Sequence, residues 1–309
     1  MAKLDNTLVY HWQARDGYLI CHLVADYCFI EAGYEDDFSV LAPHLTPNIE
    51  AVLFQINLSN SAAFPARRKA IIHELKARGI AVLNDSITDI SKRQLHQLLT
   101  CAGLNSVCAF REGPAEQTLF IKSNLNWGGG MEKELPSHLA RDLNIQQSTS
   151  VKAWNHYYRV KRKDVDEALW LDDTIVIEQY IENTEQSFYR IYGFGDAILV
   201  VKAHNPALIK KMINDPRDFN CFLTRESLHR PVAGMPEELR KQILGFISHY
   251  PLDYFCLDIV HDLRQFSIID LNLTPYSGEE AQNSDALQWL IDGARRQLQA
   301  ASLKDTCIA

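Results

Sequence analysis

Hydrophobic residues in the first 90 positions of the chain follow two different periods. Residues 7–12 and 50–58 are short apolar runs that predict strands. Residues 65–79 begin with Pro, end with Gly and carry apolar side chains at helical spacing, which predicts an amphipathic helix. The apolar run 80–84 follows this helix directly, and a helix-like run is expected at 18–32. A strand, a helix and a strand in this order predict a parallel α/β unit.

From residue 91 onward the pattern predicts a mixture of helices and antiparallel strands. Helices are expected at 91–104, 164–170, 236–250 and 284–301. Strands are expected at 117–124, 157–163 and 172–181, and hairpins at 186–204 and 254–272. The polar segment 135–150 fits neither period and is interpreted as a mobile insertion. The expected fold class is therefore α/β, with lobes of α+β type.

Charge and cysteine content narrow the class of protein. The 309 residues are 47% hydrophobic, which suffices for a large core, and the net charge of −8 argues against a general nucleic-acid binder. Seven cysteines without a CxxC pair fit a reducing compartment. The first residues lack the apolar centre of a signal peptide, and no apolar run approaches the ~20 residues of a membrane helix. We expect a cytoplasmic protein that does not enter the membrane.

Three oxygen-bearing side chains lie in the predicted hairpin 254–272. Asp258 is in its first strand, and Asp270 and Asn272 are two positions apart in the second, so those two share a face. Both strands are otherwise strongly apolar, and buried polar groups need partners. Because Mg²⁺ prefers oxygen ligands, the hairpin indicates a magnesium site. The alternative interpretation is a strand pair with a polar outer face.

A lysine and a glycine-rich loop form the second candidate. Lys122 lies near the end of a predicted strand, and Gly128, Gly129 and Gly130 follow shortly after it. Glycines let backbone N–H groups approach an anion closely, and a nearby lysine neutralises phosphate charge. The GxxxxGK[ST] motif is absent, and a flexible hairpin loop is the competing interpretation.

The predicted strand 172–181 ends in the residues EQYI, immediately before a polar break. The backbone at such a strand end, from Glu178 through Gln179 and Tyr180 to Ile181, is able to bind an adenine ring. Glu185 is able to accept hydrogen bonds from a ribose. The alternative is an ordinary strand end with solvated acids.

Two cations lie on the arms of the hairpin 186–204. Arg190 and Lys202 are flanked by apolar residues, which a cross-strand partner or a bound anion would explain. A solvent-facing side of the hairpin explains them equally well.

Taken in order, these segments resemble the ATP-grasp superfamily. The resemblance covers about residues 83–277 and depends on the segments KSNLNWGGG, IVIEQYIENTEQSFYRIYGFGD and LDIVHDLRQFSIIDLNLTP. It implies a Rossmann-like pre-ATP-grasp domain at 1–91, a lid lobe at 92–183 and a C-terminal lobe with the metal site at 184–309. Most members of the superfamily carry Glu where Asp270 stands here.

The resemblance also implies roles for individual residues. Lys92 and Lys122 would contact the phosphates of ATP, and the loop 128–130 would close over them. Residues 178–181 would hold the adenine and Glu185 the ribose. Arg190 and Lys202 would bind the transferring phosphate or the acceptor, and the Asp258, Asp270 and Asn272 side chains would hold Mg²⁺.

The activity implied is that of an ATP-dependent carboxylate–amine ligase that works through an acyl phosphate and releases ADP and phosphate. Its partners would be a small-molecule or peptide carboxylate and an amine, without nucleic acid or membrane, and a homodimer is left open. Two alternatives remain at this stage. One is a small-molecule kinase similar to the inositol-phosphate kinases of the superfamily, and the other is a nucleotide-binding regulatory module without catalysis.

Overall fold

Three β-sheets organise the protein in the computed structural model, which describes residues 2–13, 17–209, 217–262 and 264–306. The first sheet is parallel and has the strand order β2-β1-β3-β4. Its strands are β1 (Thr7–Trp12), β2 (Phe29–Glu31), β3 (Ala51–Ile56) and β4 (Ala81–Leu83). The helices of this unit are α1 (Ile20–Leu23), α2 (Phe38–Leu41) and α3 (Arg68–Ala77). The predicted parallel α/β unit is present.

The helix-like run expected at 18–32 is wrong for most of its length. Only α1 is α-helical there, a short 3₁₀ turn follows at 26–28, and residues 29–31 form β2. The sequence of β2 begins with Phe and Ile, which suit a strand, and β2 pairs in parallel with β1 with Val9 opposite Phe29. Tertiary pairing therefore overrides the local helical pattern.

The second sheet is antiparallel, with the order β6-β5-β7. Its strands are β5 (Thr118–Ser123), β6 (Tyr158–Lys161) and β7 (Ile175–Gln179). The helices α4 (Lys92–Cys101), α5 (Ser137–Asp142) and α6 (Glu167–Trp170) belong to this part of the chain. The polar segment 135–150 thus contains a short helix.

The third sheet is antiparallel and has the order β10-β9-β8-β11-β12. Its strands are β8 (Ser187–Phe194), β9 (Ala197–His204), β10 (Arg217–Thr224), β11 (Tyr254–His261) and β12 (Phe266–Asn272). The helices are α7 (Glu237–His249) and α8 (Ser284–Thr306). Both predicted hairpins are present, whereas β10 has no predicted counterpart because a run dense in charged residues, with a proline, precedes it.

The two faces of the third sheet pack into different cores. Along β11, Tyr254 and Cys256 join the core of the first sheet and α8, whereas Phe255 and Leu257 join a core formed with α7. A β-bulge interrupts the pairing of β11 with β12 between Asp258 and Ile259. None of the helices in the described part of the chain has the length and apolar character that crossing a membrane would require.

A buried asparagine joins the first sheet to β11. Asn84 follows β4 in a left-handed conformation with φ +57° and is 2% exposed. Its Oδ1 accepts hydrogen bonds from the N–H groups of Asp253 (3.1 Å) and Tyr254 (3.0 Å), and its Nδ2 donates to the Tyr254 carbonyl (2.6 Å). One side chain thus satisfies three backbone groups of another unit.

We predict that Asn84→Ala lowers the free energy of unfolding by about 3 kcal/mol, because three buried backbone groups lose their partner. The matched control is Asn144→Ala, since Asn144 is also left-handed (φ +51°) but exposed. In the control, the free energy of unfolding should fall by only about 1 kcal/mol. Urea denaturation measures both, and equal losses would contradict a connecting role for Asn84.

Candidate functional site

A cleft opens between the three-stranded sheet and strands β11 and β12 of the five-stranded sheet. Side chains from both sheets line it, together with Lys92 from the start of α4 and Trp127 from the glycine-rich loop. The cleft brings together the following predicted site residues: Lys92, Lys122, Glu178, Gln179, Tyr180, Ile181, Asp258 and Asp270. The site residues of the two halves of the sequence therefore meet across one opening.

A buried ion pair forms one wall of the cleft. Lys122 of β5 places its Nζ 2.7 Å from Oε1 of Glu178 on the neighbouring strand β7, and both side chains are almost fully buried. Nζ of Lys122 also donates to the Ile269 carbonyl across the cleft at 3.4 Å. Burial alone would raise the pKa of Glu178, but the charge of Lys122 and the hydrogen bond from His96 outweigh it and lower the pKa to about 2. Glu178 is therefore ionised at neutral pH.

His96 is a site residue that the sequence analysis missed. Its Nε2 lies 3.0 Å from Oε1 of Glu178, and its Nδ1 lies 3.0 Å from the hydroxyl of Ser106. Because an ionised carboxylate only accepts, Nε2 donates to Glu178. The signal was helical spacing, since His96 is four positions after Lys92 on α4 and so shares its face.

The carboxylates of Asp258 and Asp270 form the opposite wall. The two residues are direct partners in the β11–β12 ladder. Arg190 of β8 binds both oxygens of Asp258, with Nε–Oδ1 at 2.6 Å and Nη2–Oδ2 at 2.9 Å. Burial would lower the pKa of Arg190, but Asp258 raises it well above its ordinary value. Nζ of Lys92 lies 3.3 Å from Oδ1 of Asp270.

The predicted metal ligands fit Mg²⁺ in part. Asp258 and Asp270 offer two hard carboxylates that face the cleft, which suits an ion held by one or two carboxylates and by phosphates. Asn272 differs, because its Oδ1 already accepts from the backbone N–H (2.8 Å) and the hydroxyl (3.0 Å) of Thr274. Within the described residues no group of three or more His, Cys, Asp or Glu side chains is arranged to hold a metal.

Lys202 and Glu185 are not brought to this cleft. Lys202 is the ladder partner of Tyr189, whereas Arg190 is the partner of Val201, so Lys202 and Arg190 lie on opposite faces of the sheet. Nζ of Lys202 lies 3.5 Å from Oε2 of Glu185. These two residues therefore pair with each other, and neither is among the residues that line the cleft.

The glycine-rich loop is held in an unusual backbone conformation. Trp127, Gly128 and Gly129 all have positive φ, at +49°, +67° and +73°. A Cβ on Gly128 would lie 2.5 Å from the backbone N of Trp154, so only glycine fits there. Gly130 is right-handed, with φ −59°. The loop thereby directs the half-exposed Trp127 toward the cleft.

Asn126, a second residue that the sequence analysis missed, fixes the start of this loop. Its backbone N–H donates to the hydroxyl of Ser59 (2.8 Å), its Nδ2 donates to the Leu271 carbonyl (3.2 Å), and its Oδ1 accepts from Lys92 (2.9 Å). Oε1 of the buried Glu132 accepts from the backbone N–H of Ser59 at 2.7 Å. The loop is thus attached to both neighbouring units.

We predict that Glu178→Gln lowers the free energy of unfolding by about 3 kcal/mol at pH 7, because it leaves the buried Lys122 cation without its carboxylate. The pKa of Glu178 falls from 4.5 to about 2 on folding. Its ionised form therefore contributes stability fully above pH 4.5, and the contribution is lost as the pH falls toward 2. The difference between wild type and variant should shrink over that interval.

The control for this measurement is Glu182→Gln, since Glu182 is an exposed acid of the same segment. Its effect should stay within about 0.5 kcal/mol at every pH. Denaturant titrations between pH 7 and pH 2.5 provide the comparison. A difference for Glu178→Gln that is independent of pH would show that the carboxylate charge is not the cause.

Comparisons with known proteins bear on the fold. No protein-family model matches the sequence, and no curated protein sequence matches it significantly. The structure of the ATP-grasp ligase PsnB with a minimal precursor is 13% identical, covers 94% of this chain and 99% of its own, and gives a TM-score of 0.51. A D-alanine–D-alanine ligase from Bacillus anthracis, complexed with ATP, is 11% identical, covers 97% of this chain and 98% of its own, and gives a TM-score of 0.49. The combination of parallel and antiparallel sheets agrees with the likeness to PsnB, and the chain has the ATP-grasp fold.

Proposed function

We propose that the protein binds ATP with Mg²⁺ in the cleft and joins a carboxylate to an amine. The observation that carries this proposal is that two buried lysines, Lys92 and Lys122, and two carboxylates, those of Asp258 and Asp270, line one opening. Lys92 and Lys122 suit the phosphates of a nucleotide, and Asp258 and Asp270 suit the cation that accompanies them. PsnB, with which the chain shares its fold, is named as a ligase.

The base of the nucleotide is assigned to the end of β7. Lys122 and His96 both contact Oε1 of Glu178, which leaves Oε2 as the acceptor for an exocyclic amino group. Residues 178–181 all line the cleft, and the rings of Phe120 and Tyr180 lie 6.1 Å apart beside them. These aromatic faces supply an apolar surface for a purine.

The phosphates are assigned to the other end of the cleft. Lys92 and Lys122 neutralise their charge, and the loop 128–130 covers them. Asp258 and Asp270 would hold Mg²⁺, which supplies charge neutralisation of the phosphoryl oxygens when bound. Arg190 positions the Asp258 carboxylate, and Asn272 would join only after its Oδ1 releases Thr274.

The reaction that fits this arrangement needs little acid–base chemistry from side chains. An oxygen of the carboxylate substrate attacks the γ-phosphorus of ATP, the bond to the β–γ bridging oxygen breaks, and ADP leaves. The amine nitrogen then attacks the acyl carbon, phosphate leaves, and the nitrogen loses a proton. The loop around Trp127 excludes water from the acyl phosphate, which would otherwise hydrolyse.

The charge of the cleft bears on the substrate class. Among the described residues that line it, the cations are Lys92 and Lys122, and each contacts a carboxylate. A kinase for polyphosphorylated polyols would require a denser cationic lining. The proposed substrates are therefore a small-molecule or peptide carboxylate and an amine.

We predict that Mg-ATP stabilises the folded protein by mass action, by about 2.7 kcal/mol at a hundredfold excess over its dissociation constant. Thermal unfolding with Mg-ATP, with Mg²⁺ alone and with neither measures this effect. The midpoint should rise only with Mg-ATP. A midpoint that saturating Mg-ATP leaves unchanged would contradict nucleotide binding.

We predict that Asp270→Asn lowers turnover at least about a hundredfold while the fold is retained, because the charge facing the phosphates is lost but the side-chain shape is kept. The assay measures ADP release with pooled amino acids, dipeptides and polyol phosphates, and hydroxylamine traps the acyl phosphate as a hydroxamate. The control is Asp26→Asn, since Asp26 also pairs with a lysine but at the surface.

The wild type and the control should both form a hydroxamate, and Asp270→Asn should not. Full turnover in Asp270→Asn would contradict the role of its carboxylate. A stable phosphoester in place of the hydroxamate would contradict the ligase activity and favour a kinase. ATP binding without turnover of any pooled carboxylate in the wild type would favour the regulatory module.

A further inference from the structure

The phenol of Tyr157 is a buried polar group with no role in the site described so far. Tyr157 lies immediately before β6, is 8% exposed and lines the cleft. Its hydroxyl has no hydrogen-bond partner anywhere in the described residues. A buried hydroxyl without a partner costs free energy, so native structures generally supply one from protein, water or ligand.

The position of Tyr157 follows from the strand register. Ile121 of β5 is the partner of Tyr158 on β6, so the next pair along the ladder places Tyr157 beside Lys122. The two side chains therefore share the face that looks into the cleft, and Tyr158 points to the other face. The rings of Tyr157 and Phe120 pack edge to face, with 6.1 Å between centroids, and this contact restrains the direction of the hydroxyl.

The surroundings determine what the hydroxyl is able to bind. Burial raises the pKa of Tyr157. The charge of Lys122 lowers this pKa and that of Asp270 raises it, but burial is the largest effect. The phenol therefore stays protonated at neutral pH. The backbone N–H of Gly128 faces the phenolic oxygen but does not complete a hydrogen bond. Such an N–H would in any case leave the phenolic proton without an acceptor. The missing partner is therefore an acceptor beside a lysine, a glycine-rich loop and a carboxylate.

We propose that Tyr157 donates its phenolic hydrogen to the phosphate chain of the bound nucleotide. This inference rests on the proposed function, because it takes ATP as the occupant of the cleft. A phosphate oxygen is an anionic acceptor, and its contact with Lys122 brings it beside the hydroxyl. Tyr157 is thus a binding residue for the triphosphate, not for the base.

The test combines one conservative substitution with a series of truncated ligands. Tyr157→Phe removes only the hydroxyl, and calorimetry measures the binding of adenosine, AMP, ADP and a non-hydrolysable ATP analogue with Mg²⁺. The control is Tyr158→Phe, which removes the same group from the half-exposed neighbour on the other face. Unfolding midpoints confirm that each variant is folded.

We expect Tyr157→Phe to weaken binding of the ATP analogue and ADP about tenfold and to leave adenosine within about twofold of wild type. If the variant binds AMP as well as ADP and the ATP analogue more weakly, the hydroxyl contacts the α-phosphate. If AMP binding is unchanged and ADP binding is weakened, the hydroxyl contacts the β-phosphate. Both results support the proposal, provided that Tyr158→Phe binds the whole series as wild type does.

Equal weakening of all four ligands would overturn the proposal, because a merely structural role acts on the base and the phosphates alike. Unchanged binding of all four would also overturn it and would assign the hydroxyl to a water molecule. The proposed function fails separately, since a wild type that binds none of the nucleotides contradicts ATP as the occupant. A wild type that binds ATP equally well with and without the hydroxyl contradicts only the role of Tyr157.

Discussion

The neutralisation of Lys122 by Glu178 is the interaction on which the cleft depends. Either charge alone would cost several kcal/mol at such burial, so neither side chain is stable there without the other. Because the two residues lie on neighbouring strands, the sheet fixes their separation before a ligand arrives. His96 adds a second donor from helix α4 and so ties the helix to the same carboxylate. The wall is therefore preorganised, and a ligand need not reorder it.

The three units of the fold are joined by short polar side chains that bind backbone groups. Asn126 links the glycine-rich loop to Ser59 of the first unit and to Leu271 of β12. Asn84 makes the equivalent connection between β4 and β11. A short amide side chain has few rotamers and binds backbone groups directly. These contacts therefore restrict how far the connected strands move relative to each other. The backbones of all three units are thus linked through these side chains.

Much of the fold was predictable because burial leaves a periodic trace in the sequence. Strands β1, β3 and β4 of the first sheet and the two hairpins are apolar runs bounded by turn residues, and the structure confirms them. Strand β2 was not predicted, because its three residues lie at the end of a helix-like run and its pairing with β1 is a tertiary contact. The roles of the site residues remain proposals: the cleft brings together Lys92, Lys122, Asp258 and Asp270, as the sequence order predicted, but not Lys202 and Glu185.

Parts of the site could not be read from the sequence because they depend on pairs far apart in the chain. The contact of His96 with Glu178 joins residues 82 positions apart, and the spacing of His96 from Lys92 indicates a shared helix face but not this partner. The sheet face on which Lys202 lies, by contrast, could have been predicted from the sequence. Arg190 and Lys202 have face assignments that follow from the hairpin register, which in turn follows from the length of the turn at 195–196. The residue types alone predict two cations on one hairpin, and only the pairing register shows that they lie on opposite faces of the sheet.

The bulge between β11 and β12 has a consequence for insertions and deletions in this hairpin. Past the bulge toward the turn, Ile259 pairs with Ile268, whereas on its other side Asp258 pairs with Asp270, so Ile269 is the additional residue. A ladder that paired Ile269 in the turn-side register, with no bulge, would instead place Asp270 opposite Leu257, whose side chain lies in the apolar core beneath α7. The bulge therefore keeps the carboxylate of Asp270 on the face of the sheet that lines the cleft, opposite Asp258. A deletion of Ile269 alone would leave Asp258 opposite Asp270 in a regular ladder, whereas one more residue between Phe266 and Asp270 would need a wider bulge to keep the carboxylate in the cleft.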